Sequence, residues 1–331
     1  MKKLISIFLL VIITLSVFVG CGQSVSDSSE NIDTAKSKKL SVVTTIFPEY
    51  DWVKSIVGEN DNVEITMLLD NGVDLHSYQP TAEDVVKISD CDLFIYVGGE
   101  SDAWVNDALK NATNKDMKVI NLLEVLGGSV KEEEVKEGMQ AEDEEDGEDE
   151  EEPEYDEHVW LSLKNAKLFC KTISDTLSEI DFAHSELYSS NSEVYCNKLS
   201  QLDEKYSDTV DSAKRKTLLF GDRFPFRYLV DDYSLDYYAA FVGCSAETEA
   251  SFETISFLSK KVDELKLPCV MTIEGTEHKI ADTIVSNTSS KNQKILSMDS
   301  MQSTTSEDVK NGTTYLSVME QNLKVLKTAL N

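Results

Sequence analysis

The sequence predicts an α/β protein with two lobes, each built on a mostly parallel sheet, joined by a long rigid helix. Short β-branched or apolar runs alternate with helical patterns in both halves of the chain, which is typical of strands and helices around parallel sheets. Between the halves, residues 160–220 contain neither Gly nor Pro, which favours uninterrupted helix. The chain has 331 residues and is 41% hydrophobic, enough to bury a core in one or two domains.

The first half of the chain shows the alternation of strands and helices that is typical of an α/β lobe. Thr81, with Asp84 three residues later, predicts a helix N-terminus, and Gly58 predicts the end of the preceding helix. Predicted strands cover residues 40–47, 63–69, 93–97 and 117–122, and predicted helices cover residues 50–57 and 81–89.

A long helix is predicted next. Apolar or aromatic side chains recur every three or four residues from Tyr195 to Ala213, which places them on one helix face. We expect a first helix over residues 163–180, a cap at Asp181, and a second helix over residues 185–214 that is about 45 Å long.

The second half repeats the alternation of strands and helices. Predicted strands cover residues 217–221, 236–242, 269–273 and 295–298, and predicted helices cover residues 225–233, 252–265, 280–287 and 314–330. The predicted boundaries are residues 40–180 for the first lobe, 181–215 for the connecting helix and 216–331 for the second lobe.

The N-terminus carries a targeting signal. Lys2 and Lys3 precede an apolar run over residues 4–19, which is shorter than the roughly 20 residues of a membrane span. The run ends in Gly20 and Cys21 and resembles the lipobox of bacterial lipoproteins. We predict a signal peptide over residues 1–20 and a lipidated flexible tether over residues 21–39, attached through Cys21. The alternative is plain secretion with Cys21 left as a thiol.

The charge is concentrated in one segment. The net charge is −30, and residues 132–157 hold 17 acidic side chains and one Lys. Phosphate binding needs clustered basic side chains, so this balance excludes a nucleic-acid partner. We predict a disordered acidic loop over residues 132–157, which is either a solvated insert or a weak collector of cations.

The cysteines other than Cys21 form an odd set without a CxxC pair, so they cannot make a complete disulfide framework. Their apolar neighbours favour buried small hydrophobic residues. These are Cys91, Cys170, Cys196, Cys244 and Cys269.

Two of the four histidines lie where a site is expected. His76 follows a predicted strand, at the sheet edge where ligands of α/β proteins collect. His158 lies where the acidic tract gives way to predicted helix. Either residue alone is as compatible with an ordinary hydrogen-bonding role on a loop.

Residues 72–81 (GVDLHSYQPT) and 156–161 (DEHVWL) resemble the two histidine signatures of the substrate-binding lipoproteins of zinc and manganese ABC transporters. The resemblance runs from about residue 40 to 330. It implies two α/β lobes, a rigid helix between them and one metal ion in the cleft.

The resemblance also implies ligands. By position, His76 and His158 come from the first lobe and Asp299 supplies a carboxylate from the second. In an ungapped match Arg223 takes the place of the remaining ligand, but a guanidinium cannot ligate, so we predict the adjacent Asp222. Two alternatives stay open: Arg223 pairs with a ligand carboxylate, or His278 or Glu274 enters the site.

Two histidines and two carboxylates suit zinc first and manganese second. For ordinary imidazoles, metal binding would weaken below about pH 6.5. We therefore predict a lipid-anchored monomer on the extracytoplasmic face of the bacterial membrane that is not an enzyme. It would capture a divalent transition metal and deliver it to an ABC permease. The alternatives are a metal-dependent hydrolase or a surface adhesin.

Overall fold

The computed structural model describes residues 39–140, 154–245, 249–275 and 277–331. The predicted signal peptide, Cys21, nearly all of the tether and the centre of the acidic tract lie outside these residues. The described residues all fall within one compact unit, Lys38–Asn331. In this part of the chain, no helix combines the length and apolar character that crossing a bilayer demands.

The first lobe is a parallel four-stranded sheet with strand order β2-β1-β3-β4. Its strands are β1 (Leu40–Thr44), β2 (Val63–Met67), β3 (Leu93–Tyr96) and β4 (Lys118–Asn121). Its helices are α1 (Phe47–Val57), α2 (Ala82–Asp90), α3 (Val105–Lys110) and α4 (Leu122–Leu126). The predicted Thr81 cap of α2 is present, since Thr81 Oγ1 accepts from Asp84 N at 3.2 Å.

Helix α1 begins three residues earlier than the sequence predicts. Pro48 lies in its first turn, where the missing N–H group has no helical partner to lose. The buried Glu49 carboxylate accepts from the N–H groups of Thr45 and Ile46 at 2.8 and 3.2 Å. The predicted strand over residues 40–47 is therefore too long: β1 ends at Thr44, and Pro48 lies in the helix that follows.

Two long helices lie between the two sheets in the chain: α5 (Leu163–Ile180) and α6 (Ser185–Asp211). The 27 residues of α6 span about 40 Å. Near its start, Asn191 Nδ2 donates to Ile56 O of α1 at 2.9 Å. Near its end, the buried Tyr206 hydroxyl donates to Met319 O at 2.7 Å. One rigid element therefore packs against parts of both lobes.

The second lobe repeats the topology of the first, with parallel strands in the order β6-β5-β7-β8. Its strands are β5 (Thr217–Phe224), β6 (Asp236–Val242), β7 (Cys269–Thr272) and β8 (Lys294–Ser297). Its helices are α7 (Arg227–Asp232), α8 (Phe252–Leu265), α9 (Lys279–Asn287), α10 (Ser306–Lys310) and α11 (Tyr315–Ala329). Two parallel sheets and a connecting helix confirm the predicted fold class, whereas the exact lobe boundaries stay a prediction.

Direct hydrogen bonds also join the lobes. Trp160 Nε1 donates to Ser300 O at 2.8 Å, and the Tyr315 hydroxyl donates to Trp160 O at 2.7 Å. Trp160 and Tyr315 are fully buried, so these bonds lie in a core that both lobes share.

The prediction of a disordered loop over residues 132–157 is wrong at both ends. Glu132 pairs with Tyr155 in an antiparallel bridge, and Glu133 N donates to Glu154 O at 2.9 Å. Glu157, at 2% exposure, accepts from Ser101 N at 2.9 Å. A backbone donor thus replaces water at the Glu157 carboxylate, which composition alone does not reveal. Residues 141–153 lie outside the described part.

Candidate metal site

His76 lies on a short 3-10 turn, Leu75–Ser77, that follows β2. The Asp74 carboxylate caps this turn by accepting from His76 N at 3.0 Å. His76 Nδ1 is 2.8 Å from Ser101 Oγ and 3.5 Å from Glu157 Oε2. With Nδ1 at hydrogen-bond distance from Ser101 Oγ, the other ring nitrogen, Nε2, points toward His158.

His158 is fully buried immediately before the 3-10 turn Val159–Leu161. Asp156 Oδ1 lies 2.9 Å from the backbone N and 3.1 Å from Nδ1 of His158. A Cβ atom built on Gly243 would be 2.9 Å from His158 Cε1, so only glycine leaves room for this ring. A carboxylate at Nδ1 orients the imidazole and leaves Nε2 for a ligand, as around metal-bound histidines.

The Nε2 atoms of His76 and His158 are 3.2 Å apart. Two imidazoles on one tetrahedral zinc ion, at bond lengths of about 2.05 Å, bring their nitrogens about 3.3 Å apart. The pair therefore has the spacing that a shared metal ion requires.

Cys244 is the third member of this cluster. In the described ranges, it joins His76 and His158 in a group whose ligand atoms all lie within 4.8 Å of one another. It follows β6 and is only half-buried, and burial, followed by the nearby Glu133, raises the pKa of its thiol. The prediction of buried small hydrophobic residues is wrong for Cys196 and Cys244, which are half-buried. The place of Cys244 just past the carboxyl end of a predicted strand was the available signal. Cys91, Cys170 and Cys269 are buried free thiols, as expected.

Arg223 lies in β5 and pairs with Asp74 across the cleft. Gln302, which the sequence analysis missed, completes this network from the second lobe. With its amide nitrogen toward Asp74, Gln302 donates to both Asp74 carboxylate oxygens at 2.9 Å. In the same orientation its oxygen lies 3.1 Å from His158 Nε2. Arg223 therefore faces a neighbour of His76 rather than one of the expected ligand carboxylates.

The four other expected site residues lie outside the three-residue cluster. Asp222 accepts from Ile273 N at 3.2 Å and from Arg223 N at 2.9 Å, and Asp299 Oδ1 accepts from Met301 N at 2.7 Å. Glu274 holds the loop after β8, since it accepts from Ser300 N at 2.7 Å. His278 precedes α9, and its buried Nδ1 has no hydrogen-bond partner among the described residues.

The electrostatics keep His76 neutral. Burial lowers the pKa of His76 to about 3. The nearby His158 and Arg223 also lower this pKa, whereas Asp74 raises it. Near pH 6.5, protons therefore do not compete with a metal ion for the His76 ring, whereas they do compete for an imidazole of ordinary pKa. In the second lobe, burial and the nearby Glu274 raise the pKa of Asp299 to about 6.

A cavity of about 580 Å³ opens beside the cluster. Its lining includes His76, Cys244 and the acidic side chains Glu100, Glu133 and Glu157. A cleft lined by negative charge raises the local concentration of cations.

Comparisons with known proteins agree with this architecture. The model of the ZnuA family, "Zinc-uptake complex component A periplasmic", matches residues 42–329. The zinc-binding lipoprotein AdcA of Streptococcus pneumoniae is 33% identical over 293 residues, which cover 87% of this chain and 55% of AdcA. The chain therefore spans about half the length of the AdcA relatives that it matches.

A relative of similar length is the high-affinity zinc uptake system protein ZnuA of Bacillus subtilis. It is 30% identical over 331 residues, which cover 99% of this chain and 98% of that protein. Among solved structures, the Zn(II)-bound ZnuA-like domain of Streptococcus pneumoniae AdcA superposes with a TM-score of 0.69 at 30% identity. That superposition covers 88% of this chain and 99% of the domain. With nearly all of its described residues matched, the chain belongs to the ZnuA family.

Proposed function

We propose that this chain captures a divalent transition metal outside the cytoplasmic membrane, zinc in preference to manganese, and delivers it to an ABC permease. The observation that carries the proposal is the pair His76 and His158, with Nε2 atoms 3.2 Å apart and each Nδ1 beside an oxygen atom. The names of the relatives, a zinc-binding lipoprotein and a zinc uptake protein, support it.

In this proposal His76 and His158 are the ligands from the first lobe. Asp299 remains the proposed carboxylate ligand from the second lobe, ahead of Asp222. Both oxygens of Asp222 accept backbone N–H groups, whereas Asp299 Oδ1 accepts one. A cation would stabilise the ionised form of Asp299, whose pKa burial has raised.

Zinc is favoured over manganese on chemical grounds. Imidazole nitrogen is a borderline ligand that suits zinc, whereas manganese prefers sites made mainly of oxygen. The affinity order of divalent metals also places zinc well above manganese for a given set of ligands.

The setting of this function is also proposed. We infer a monomer held by lipid at Cys21 on the extracytoplasmic face of the membrane. The family serves metal uptake, and we propose no catalytic role for this chain.

The test is metal titration of the purified chain after removal of the signal peptide and of bound metal. Zinc and manganese should compete for one tight equivalent, with zinc winning. His76→Ala or His158→Ala should weaken zinc binding at least a hundredfold. His184→Ala is the control, because His184 pairs with Asp181, outside the cluster. Several weak equivalents that His76→Ala leaves unchanged would contradict the proposal. Zinc-limited growth of cells lacking the protein tests delivery.

A further inference from the structure

We propose that the Cys244 sulfur is a third protein ligand of this site, so that two imidazole nitrogens and one thiolate hold the metal ion together with the proposed Asp299 carboxylate. This inference rests on the proposed function and specifies the chemistry of the same site. It comes from the cluster itself, in which the ligand atoms of Cys244, His76 and His158 all lie within 4.8 Å of one another.

The geometry needs only a small adjustment. A tetrahedral zinc ion with one sulfur at about 2.3 Å and nitrogens at about 2.05 Å places sulfur and nitrogen about 3.6 Å apart. The ligand atoms of the cluster are at most 4.8 Å apart, so an approach of the sulfur by roughly 1 Å reaches this distance. Cys244 lies in the turn after β6 and is half-buried, so its side chain has room to turn. The histidines lie in the first lobe and Cys244 in the second, so the sulfur would join both sides of the cleft.

The neighbouring Glu133 provides a route for the thiol proton. Its carboxylate accepts from Cys244 N at 3.1 Å and lines the same cavity as Cys244 and His76. On binding, the S–H bond breaks and a metal–sulfur bond forms. The proton passes to the Glu133 carboxylate and then to water, and no electron is transferred.

A thiolate changes which metals the site prefers. Soft sulfur ligands favour zinc and disfavour manganese, which takes oxygen ligands. Cys244 would therefore raise the preference for zinc beyond that of the two histidines alone.

Cobalt(II) is a direct probe, because a cobalt–thiolate bond gives an intense near-ultraviolet charge-transfer band that nitrogen and oxygen ligands do not. The metal-free chain should develop this band up to one equivalent of cobalt. Cys244→Ser should lose the band and bind zinc at least tenfold more weakly, with manganese affinity changed less than twofold. Cys196→Ser is the matched control, because Cys196 is also half-buried but lies on α6, and it should keep the band.

The two proposals fail in different ways. No charge-transfer band, with zinc affinity unchanged in Cys244→Ser and lost in His76→Ala, would overturn the sulfur ligand and leave the proposed function standing. Zinc binding unaffected by His76→Ala would overturn both. If Cys244→Ser does not fold, the Cys196→Ser chain decides: one equivalent of cobalt should give the band and one equivalent of zinc should abolish it, and no band would overturn the ligand.

Discussion

Arg223 of the second lobe pairs with Asp74 of the first, and Asp74 is the residue that caps the turn carrying His76. This ion pair brings a fixed positive charge next to the proposed metal ligands. Arg223 Nη1 also lies 3.5 Å from Ser245 O, next to Cys244 in sequence. The guanidinium thus contacts a neighbour of a proposed ligand on each side of the cleft.

Replacing this charge should tighten zinc binding. Arg223 contributes to lowering the pKa of His76, and a metal ion at Nε2 experiences the same repulsion. A unit charge several ångströms away contributes about 1–2 kcal/mol at the effective dielectric of a protein. We therefore expect zinc affinity to rise roughly tenfold in Arg223→Gln, measured by competition with a chelating dye.

Arg227→Gln is the control for this change, since Arg227 pairs instead with Glu134 at 3.1 Å. It removes the same net charge and should shift zinc affinity less than twofold. Weaker zinc binding in Arg223→Gln would contradict the prediction. It would mean that the ion pair is needed to hold the cleft in its binding geometry.

The fold was largely predictable because it depends on local patterns. Helix α5 and strand β6 have the predicted bounds, since their apolar periodicity and flanking residues are strong. Strand β5 is longer than predicted and includes Asp222 and Arg223, because Gly221 looks like a strand end in the sequence. In the structure Gly221 lies against Ala281 of α9, where a Cβ atom would come within 2.7 Å of Ala281 Cα.

The site was only partly predictable, because its members come from distant segments. His76 and His158 are marked by motifs, but Cys244 and Gln302 reach the cluster through tertiary packing. No spacing rule relates Cys244 to residues 86 or more positions away in the chain. The order at both ends of the acidic tract was hidden for the same reason: Glu133 and Glu157 are held by partners outside the tract, Cys244 N and Ser101 N.

Gly243→Ala should impair the site. The added methyl group would lie 2.9 Å from His158 Cε1 and 3.0 Å from Phe224 O, so the imidazole or the strand must shift. Overpacking of this kind costs about 1–3 kcal/mol in the free energy of unfolding. We expect that loss in urea unfolding, together with at least tenfold weaker zinc binding.

Gly128→Ala provides the comparison, because no atom lies within 4 Å of a Cβ atom built there. Both its stability and its zinc affinity should match the wild type. If Gly243→Ala binds zinc normally, the position of the His158 ring does not control affinity.

Asp102 should make the metal-free protein less stable as the pH rises. Burial raises the pKa of Asp102 to about 7, and its Oδ1 is buried without a hydrogen-bond partner among the described residues. The folded state therefore holds a proton that the unfolded state releases near pH 4. The stabilisation is fully present below about pH 4 and is lost as the pH rises toward 7.

Asp102→Asn should flatten this profile, because an amide stays neutral and can still accept from Gly98 N, which Asp102 Oδ2 does at 3.0 Å. At pH 7 we expect it to be more stable than the wild type, by up to about 4 kcal/mol. Urea unfolding between pH 4 and 8 measures this. Asp84→Asn should instead lower the stability at pH 7. Burial raises the pKa of Asp84, but hydrogen bonds from Thr81 and Tyr78 outweigh burial and lower this pKa. A pH slope unchanged in Asp102→Asn would contradict the assignment.

Cys196 should be the fastest of the described cysteines to react with an alkylating reagent. A hydrogen bond with Cys170 lowers its pKa to about 6, and the thiolate is the reactive form. Cys170→Ala should slow alkylation of Cys196 roughly tenfold at neutral pH, read by peptide mass spectrometry. Cys269 is the internal reference, because burial raises its pKa to about 11, and it should remain slow in both proteins.

The acidic tract should govern how fast the metal arrives and not how tightly it is held. Residues 141–153 contain ten acidic side chains and no basic one, and they connect the ordered ends that carry Glu133 and Glu157. Replacing them with a Gly/Ser segment of equal length keeps those ends and removes the charge. We expect slower zinc association at low ionic strength, with rates that converge above about 0.5 M salt as screening removes the attraction.

The equilibrium affinity should stay within twofold of the wild type, whereas Glu133→Gln should weaken it, because Glu133 contacts Cys244. Stopped-flow mixing across a salt series separates these effects, and an association rate unchanged at low salt would mean that the tract does not collect cations.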